Sequence, residues 1–587
     1  MDPVRDGRWG GPRCGKLRVM HARHPVLGSV VPGLVFAVIA TSCTTPPVEP
    51  ADLVLRNGTI ITVDDVMPEA EALAVRGDRI VAVGRAAVLD RYIGDETQVI
   101  DLEGRLAIPG FIEGHGHLLG IGDATLQLDL AGARSWSDIV AMVEDAATRA
   151  RPGELIRGRG WHQEKWDRPP SPAIEGLPLH DALSLVSPEN PVLLRHASGH
   201  ATFANAQAMA LAGITAETPD PSGGDIVRDV AGHAIGAFRE TAAALLSAAW
   251  RDATPPDPRR LAELAIRELL ENGITSFQDA GSSLSEVDLY RDMVEDGRLG
   301  VRLWVMLRAS NTQLAERLAD YRIIRMGDDR LTVRAIKRQI DGALGSHGAW
   351  LLDPYVDLSD SAGLNTTPIE TIEATARLAL EHGFQLCVHA IGDRANRETL
   401  DLFERAFQAN LEAQDLRWRI EHAQHLHPDD IPRFAELGVI ASMQGTHATS
   451  DGSWVPDRLG DRRSEEGAYV WQRLLAAGAV VSNGTDAPVE HVSPIASYYA
   501  TVSRRLADGS IFYANQRLSR LDALRTYTIN AAYAAFEEDV KGSLTPGKLA
   551  DITVLSKNIL TVPEAEIPST EVVATIVGGR VMYHRPE

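Results

Sequence analysis

The run Ile108-Pro-Gly-Phe-Ile-Glu-Gly-His115-Gly-His117 opens apolar and closes on two imidazoles set two residues apart. On an extended strand that spacing puts both side chains on one face, whereas on a helix it would splay them apart. The segment therefore reads as a short buried strand that ends in a pair of metal-type donors.

Outward from it, the same arrangement recurs. Apolar or β-branched runs at 274–278, 301–307, 331–340, 384–389, 418–422, 439–444 and 480–483 follow the first one at 108–114. Ala/Leu/Glu-rich helical stretches such as 259–271, 368–382 and 429–437 lie between them. Alternation of this kind predicts parallel strands with crossover helices, and eight strands close a TIM-like (β/α)8 barrel of the α/β class. Barrel enzymes keep their chemistry at the C-terminal strand ends. Here those ends carry His115 and His117, then Lys337, His389, His422 and Asp486. Four imidazoles and a carboxylate suit a borderline-soft divalent ion, zinc by donor type. Lys337 is the odd member, since a bare ammonium is repelled by cations. Either it is carbamylated by carbon dioxide to N6-carboxylysine, an anionic bridge between two ions, or it sits off the metals, pairing with Asp341 or pointing outward.

The flanks have another texture. Alternating runs at 52–63, 72–83 and 98–108, with Asn57-Gly58, Gly77-Asp78 and Glu103-Gly104 inside them, read as antiparallel hairpins. The pattern returns at 550–555 and at 572–583, the latter around Gly578-Gly579. A composite β-sandwich of 52–107 plus 546–587 is expected, around a catalytic barrel of 108–545. The gap between the first two barrel strands is too long for one helix and predicts an inserted cap at about 120–250.

Residues 1–43 place six basic side chains, Arg5 to Arg23, before the apolar run 26–40 and Cys43. This is a secretory pattern too short for a permanent span. Ala40-Thr41-Ser42-Cys43 resembles a bacterial lipobox with Cys43 as the lipidated residue, and 44–51 is a Pro-rich tether. An exported bacterial lipoprotein, touching the membrane only through that anchor, is the expectation. An ordinary secreted signal or a non-exported chain is the alternative, and translation starts at Met1 or Met20. With 80 acidic against 58 basic residues and a net charge of −22, the surface field excludes nucleic acid as a partner. Of three cysteines, Cys387 lies in an apolar run and reads as packed core.

These residues resemble the amidohydrolase superfamily, in particular its branch of N-substituted formamide deformylase-like proteins (amidohydrolase family 3). The likeness runs from Asp52 to Tyr583. It includes Gly158-Arg-Gly-Trp161, Ser198-Gly-His200-Ala201, Asp220-Pro-Ser-Gly-Gly224 and Lys541-Gly-Ser-Leu-Thr-Pro-Gly-Lys-Leu-Ala-Asp551. The resemblance implies a barrel with a composite β-sandwich, one or two divalent metals, and hydrolysis of an amide- or formamide-type C–N bond in a small molecule by metal-activated hydroxide. It assigns His115, His117, His389 and His422 as metal histidines, Lys337 as the bridging lysine and Asp486 as the catalytic aspartate. An ionised Asp486 can take a proton from the attacking water and return it to the departing amine. His200 is expected over the substrate carbonyl, Trp161 on a pocket wall, and His347 and His447 near the substrate. His162, His196, His425 and His427 read as structural or exposed. Two positions depart from the pattern: Glu113 replaces the usual aspartate, and Gly445 replaces proline in the Gln-Pro-x-His turn of strand seven. Ester or lactone hydrolysis, and a non-catalytic metal-binding sensor, are the competing functions. The oligomeric state is left open.

Overall fold

The computed structural model describes residues 48–250, 256–410, 412 and 415–586. The lipobox-like segment, Cys43 and both candidate start methionines lie outside them. Among the described residues no helix is long and apolar enough to cross a membrane.

Eight parallel strands form the central barrel: Phe111–Gly116, Ile274–Ser282, Arg302–Leu307, Leu331–Gln339, Gln385–Ala390, Arg419–His422, Ile440–Gln444 and Val481–Gly484. Their order in the sheet is their order in the chain. The first and eighth face each other across a nearly closed seam. Just beyond it, Asp486 N–H donates to the His115 carbonyl and His117 N–H to the Ala487 carbonyl, both at 2.8 Å. Gly114 and Gly484 permit this approach: a β-carbon on Gly114 would lie 2.5 Å from the Asn483 carbonyl oxygen, and one on Gly484 would lie 2.5 Å from Glu113 Oε1.

Alternation along the strands sorts the side chains. Leu303, Val305, Ile336, Leu386 and Val388 join the large apolar core under the helices. Trp304, Met306, Ala335 and Cys387 pack with one another on the opposite face, inside the barrel. That inner face continues to Lys337 and His389, the next residues in register. Cys387 is a free, fully buried thiol, and burial raises its pKa, so it is a core residue.

All eight runs read from the sequence are strands, with one correction. Ile108 and Pro109 belong to the strand Leu106–Pro109 of the outer sheet, where they pair antiparallel with Thr553 and Ile552. Barrel strand one begins at Phe111.

The outer sheet joins both ends of the chain, from Leu53–Ile61 to Arg580–His584. The turns at Gly77-Asp78 and Gly578-Gly579 close hairpins as expected. The other two do not. Leu53–Ile61 runs on through Asn57-Gly58 with a register shift, because Asn57 takes a left-handed φ of 63° and bulges instead of turning. Glu103-Gly104 joins two strands that both pair parallel with Leu53–Ile61 and not with each other. Pro50 and Ala51, read as the end of the tether, are already bonded to the folded body, Pro50 to Arg76 of the outer sheet and Ala51 to Tyr92 of the short helix 90–92.

Between barrel strands one and two lies the cap. Its six-stranded sheet includes Ile156–Trp161, Val192–His196, Ala201–Ala204 and Ala234–Glu240. The sheet has its own apolar core around Trp161, Phe203 and Leu194.

Candidate metal centre and active site

His115 and His117 point their Nε2 atoms at one oxygen of Asp486, 3.6 and 3.2 Å from Oδ1. Those three donors, and separately His422, His447 and Asp486, each lie within 4.8 Å of one another. Asp486 is common to both groups. The His389 ring is 4.4 Å from that of His422, and His115 is 4.8 Å from His422. The structure thus brings the four expected histidines and Asp486 to one mouth and adds His447, which the sequence placed only near the substrate.

These donors fit a divalent cation on two grounds. His389 Nε2 and His447 Nε2 are buried with no hydrogen-bond partner, an arrangement that costs free energy unless a ligand completes it. The rings are also held in the form that ligates. His115 Nδ1 faces Glu421 Oε2, His422 Nδ1 lies 2.8 Å from Gln444 Oε1, and His447 Nδ1 lies 3.0 Å from Gln424. Such contacts leave Nε2 for the metal. Burial, aided by the Lys337 charge, pulls the His115 pKa down to about 4, and burial also holds His389 and His422 far below the ordinary range. Neutral imidazole is the ligating form. Burial opposes the Asp486 carboxylate, but the hydrogen bond from His117 and the surrounding imidazoles outweigh it and hold its pKa well below the ordinary carboxylate value.

Lys337 points into the barrel, 3.5 Å from His115 Nε2 and 3.5 Å from the Ala280 carbonyl. It is 6% exposed, and burial lowers its pKa. It does not pair with Asp341. Asp341 instead accepts N–H groups of Ile391, Gly392 and Trp350 at 3.0, 2.8 and 2.9 Å, pinning the loop after strand five beneath His389.

His200 comes from the cap. It immediately precedes the strand Ala201–Ala204, whose partner strand ends at Glu240, so the pairing delivers both side chains together. His200 Nδ1 lies 2.9 Å from Glu240 Oε2, and its ring is 5.4 Å from that of His389. Burial disfavours the imidazolium, yet Glu240 more than compensates and the pKa is raised. A cavity of about 520 Å3 holds His200, His389, His422, His447 and Asp486 in its wall, with His162 and Trp454 among the other lining residues. His162, read from sequence as structural, is therefore a wall residue.

Trp161 and His347 are placed elsewhere. The Trp161 indole N–H donates to the Leu194 carbonyl at 2.9 Å within the cap core, and His347 pairs with Asp357 at 3.2 Å. Both line a separate cleft.

Three supports escaped the sequence reading. Glu421, Gln444 and Glu240 each orient a site histidine, and none stood out because a lone buried Glu or Gln has no pattern. Strict alternation would turn His422 outward beside Ile420. Instead His422 and Ala423 take left-handed φ values of 77° and 43°, which swing the ring inward at the strand end.

Both departures from the family pattern have local causes. Glu113 spans the seam: its Oε1 accepts the Thr485 N–H, and Gly484 leaves room for its extra methylene. Gly445 sits under the helix Pro494–Ser503, where a β-carbon would meet the Ser497 carbonyl at 2.4 Å and Thr501 Oγ1 at 2.5 Å. Its N–H also donates to Asn483 Oδ1 at 3.0 Å. Gly445→Ala is expected to cost about 1–3 kcal/mol by overpacking and to displace Gln444 from His422. Gly445→Pro should cost more, having lost the N–H as well. Thermal unfolding with and without chelator checks both, and wild-type curves for Gly445→Pro would refute the account.

A barrel with such a mouth is that of a metal-dependent hydrolase. The Amidohydrolase family model matches residues 98–583, and the chain belongs to that family. Protein LONG AFTER FAR-RED 3 of Arabidopsis thaliana is 34% identical, over 92% of this chain and 93% of its own. N-substituted formamide deformylase of Arthrobacter pascens is 29% identical, over 91% and 98%. A solved metal-dependent hydrolase from Pyrococcus furiosus superposes with a TM-score of 0.67 at 26% identity, covering 87% of this chain and all of that one.

Proposed function

We propose that this protein hydrolyses an amide- or formamide-type C–N bond of a small organic molecule. The observation that carries the proposal is the placement of Asp486 and His200 on one cavity, with Asp486 Oδ1 3.2 and 3.6 Å from the Nε2 atoms of His117 and His115. A divalent ion, zinc by the donor set, supplies a Lewis acid and lowers the pKa of water when bound. The chain's own residues do the rest. Asp486 accepts the proton of the attacking water and passes it to the leaving amine, a transfer an amide needs more than an ester does. With Nδ1 held by Glu240, His200 offers Nε2 to the carbonyl oxygen. Among the described residues Lys337 has no carboxylate at ion-pair distance, and its lowered pKa favours the neutral amine that adds carbon dioxide; as a carbamate it would supply an anionic oxygen to the donor set. The deformylase named above supports the formamide assignment.

The test is a metal-loaded preparation screened against formamides, N-acyl amino acids and esters. Amide turnover abolished by chelation and restored by zinc is expected. Turnover of esters alone would replace this reading with an esterase or lactonase. Tight ligand binding without turnover of any class would replace it with a sensor.

A further inference from the structure

Outward from the metal donors, cap and barrel enclose a second, larger space of about 2100 Å3, open to solvent. Its wall carries Arg157, Arg159, Arg195, Arg308 and Lys337 against the carboxylates Asp123, Glu240 and Asp486. In a chain of net charge −22 this is a local inversion of sign. The carboxylates are already engaged: Asp123 lies 2.8 Å from Arg157, Glu240 holds His200, and Asp486 faces the donor histidines.

Among the described residues Arg159, Arg195 and Arg308 therefore have no carboxylate at ion-pair distance. Arg159 is nonetheless anchored, bonding the Pro488 carbonyl at 2.8 Å and that of Ala197 at 3.3 Å, and it holds the loops that carry Asp486 and His200. Arg195 and Arg308 differ. Arg195 reaches only the Gly199 carbonyl, at 3.3 and 3.4 Å, and Arg308 only Gln339 Oε1, at 3.5 Å. Each guanidinium has five N–H groups in a planar fork that matches a carboxylate. Both side chains are exposed to the vestibule, and the Arg308 charge disfavours that of Arg195. Arg308 is also near the centre: its Cδ and the Cγ of Lys337 both lie within 4 Å of where a side chain on Gly281 would begin. Two cations with no carboxylate at ion-pair distance, facing one cavity beside a hydrolytic centre, are relieved by an anion brought in with the ligand.

We propose that the substrate carries a carboxylate remote from the scissile C–N bond, gripped between Arg195 of the cap and Arg308 of the barrel. The substrate class is then an amido acid, such as an N-formyl or N-acyl amino acid. This rests on the amide-hydrolase reading of the metal centre. Arg308 follows barrel strand three and Arg195 lies near the end of the cap strand Val192–His196, so a bound carboxylate also ties the cap to the barrel.

The experiment uses N-formyl and N-acetyl amino acids, each as free acid, methyl ester and phosphonate analogue. Turnover is measured with the metal-loaded enzyme, and binding with metal-loaded Asp486→Asn by calorimetry. The free acid should exceed its ester in kcat/KM by about tenfold to a hundredfold, the worth of a charge-assisted contact. Arg195→Gln and Arg308→Gln should each collapse that ratio toward one, mainly through KM, and the preference should weaken at high salt. Preference for the phosphonate over the carboxylate would overturn the carboxylate assignment. Equal use of acid and ester by the wild type, unchanged by both variants, would overturn the anion clamp while leaving amide hydrolysis intact. Tight carboxylate binding lost in both variants, with no amide cleaved, would keep the clamp and sink the hydrolase reading instead.

Discussion

Asp486→Asn should lower kcat by about a thousandfold, within the range of a lost general acid–base and equal to about 4 kcal/mol on the barrier. Metal content and KM should stay within a few-fold of wild type. Asparagine is the informative replacement because Asp486 has a φ of 56°. Asparagine tolerates that left-handed conformation, whereas alanine would add backbone strain to the lost carboxylate. The Asp486 N–H bond to the His115 carbonyl, at 2.8 Å, survives in the variant, and the amide oxygen can stand where Oδ1 stands. What disappears is the capacity to carry a proton. Metal analysis beside steady-state kinetics separates the outcomes. A fall in kcat that merely tracks a fall in bound metal would reduce Asp486 to a ligand and remove its proton-transfer role.

The barrel was legible because its cues are periodic. Each strand is a short apolar run before a polar end, and helices fill the intervals, so all eight appear with boundaries off by only a few residues. The donors were legible for a related reason, since histidines at strand ends stand out against apolar runs. Errors arose where one local signal supports two geometries. Asn57-Gly58 is a strong hairpin pair, but the same left-handed propensity makes a bulge when neighbouring strands hold the chain straight. Ile108-Pro109 is apolar like the strand that follows, and only tertiary pairing with Ile552–Leu555 shows that it belongs to the other sheet. His447 became a candidate ligand solely because helix Gly445–Asp451 carries it back over the mouth. Contacts between residues hundreds of positions apart, such as Glu421 with His115, have no signature in one chain.

That last contact leads to the largest expected loss of stability. Arg419 and Glu421 are both fully buried inside the barrel, below the donors. Arg419 Nε lies 2.7 Å from Glu421 Oε1, a Coulombic contact poorly aligned for a hydrogen bond, while Nη2 donates to Oε2 at 3.1 Å. The same guanidinium bonds Gln278 Oε1, the Gly114 carbonyl and Ser442 Oγ, so it links barrel strands one, two, six and seven. Burial opposes the Glu421 charge, but Arg419 and His115 outweigh it and hold the carboxyl far below its ordinary pKa. Glu421→Gln would leave Arg419 buried and uncompensated, which costs about 3–5 kcal/mol. It would also take the carboxylate from His115 Nδ1, which should weaken metal binding about tenfold to a hundredfold. The two effects separate in the double variant Arg419→Met/Glu421→Leu. Replacing the whole pair by apolar side chains removes the orphan charge and should recover much of the melting temperature, yet the metal affinity should stay low because His115 has still lost its partner. If the double variant regained both, Glu421 would matter only as the counter-charge of Arg419, and the orientation of His115 would have to come from strand geometry alone.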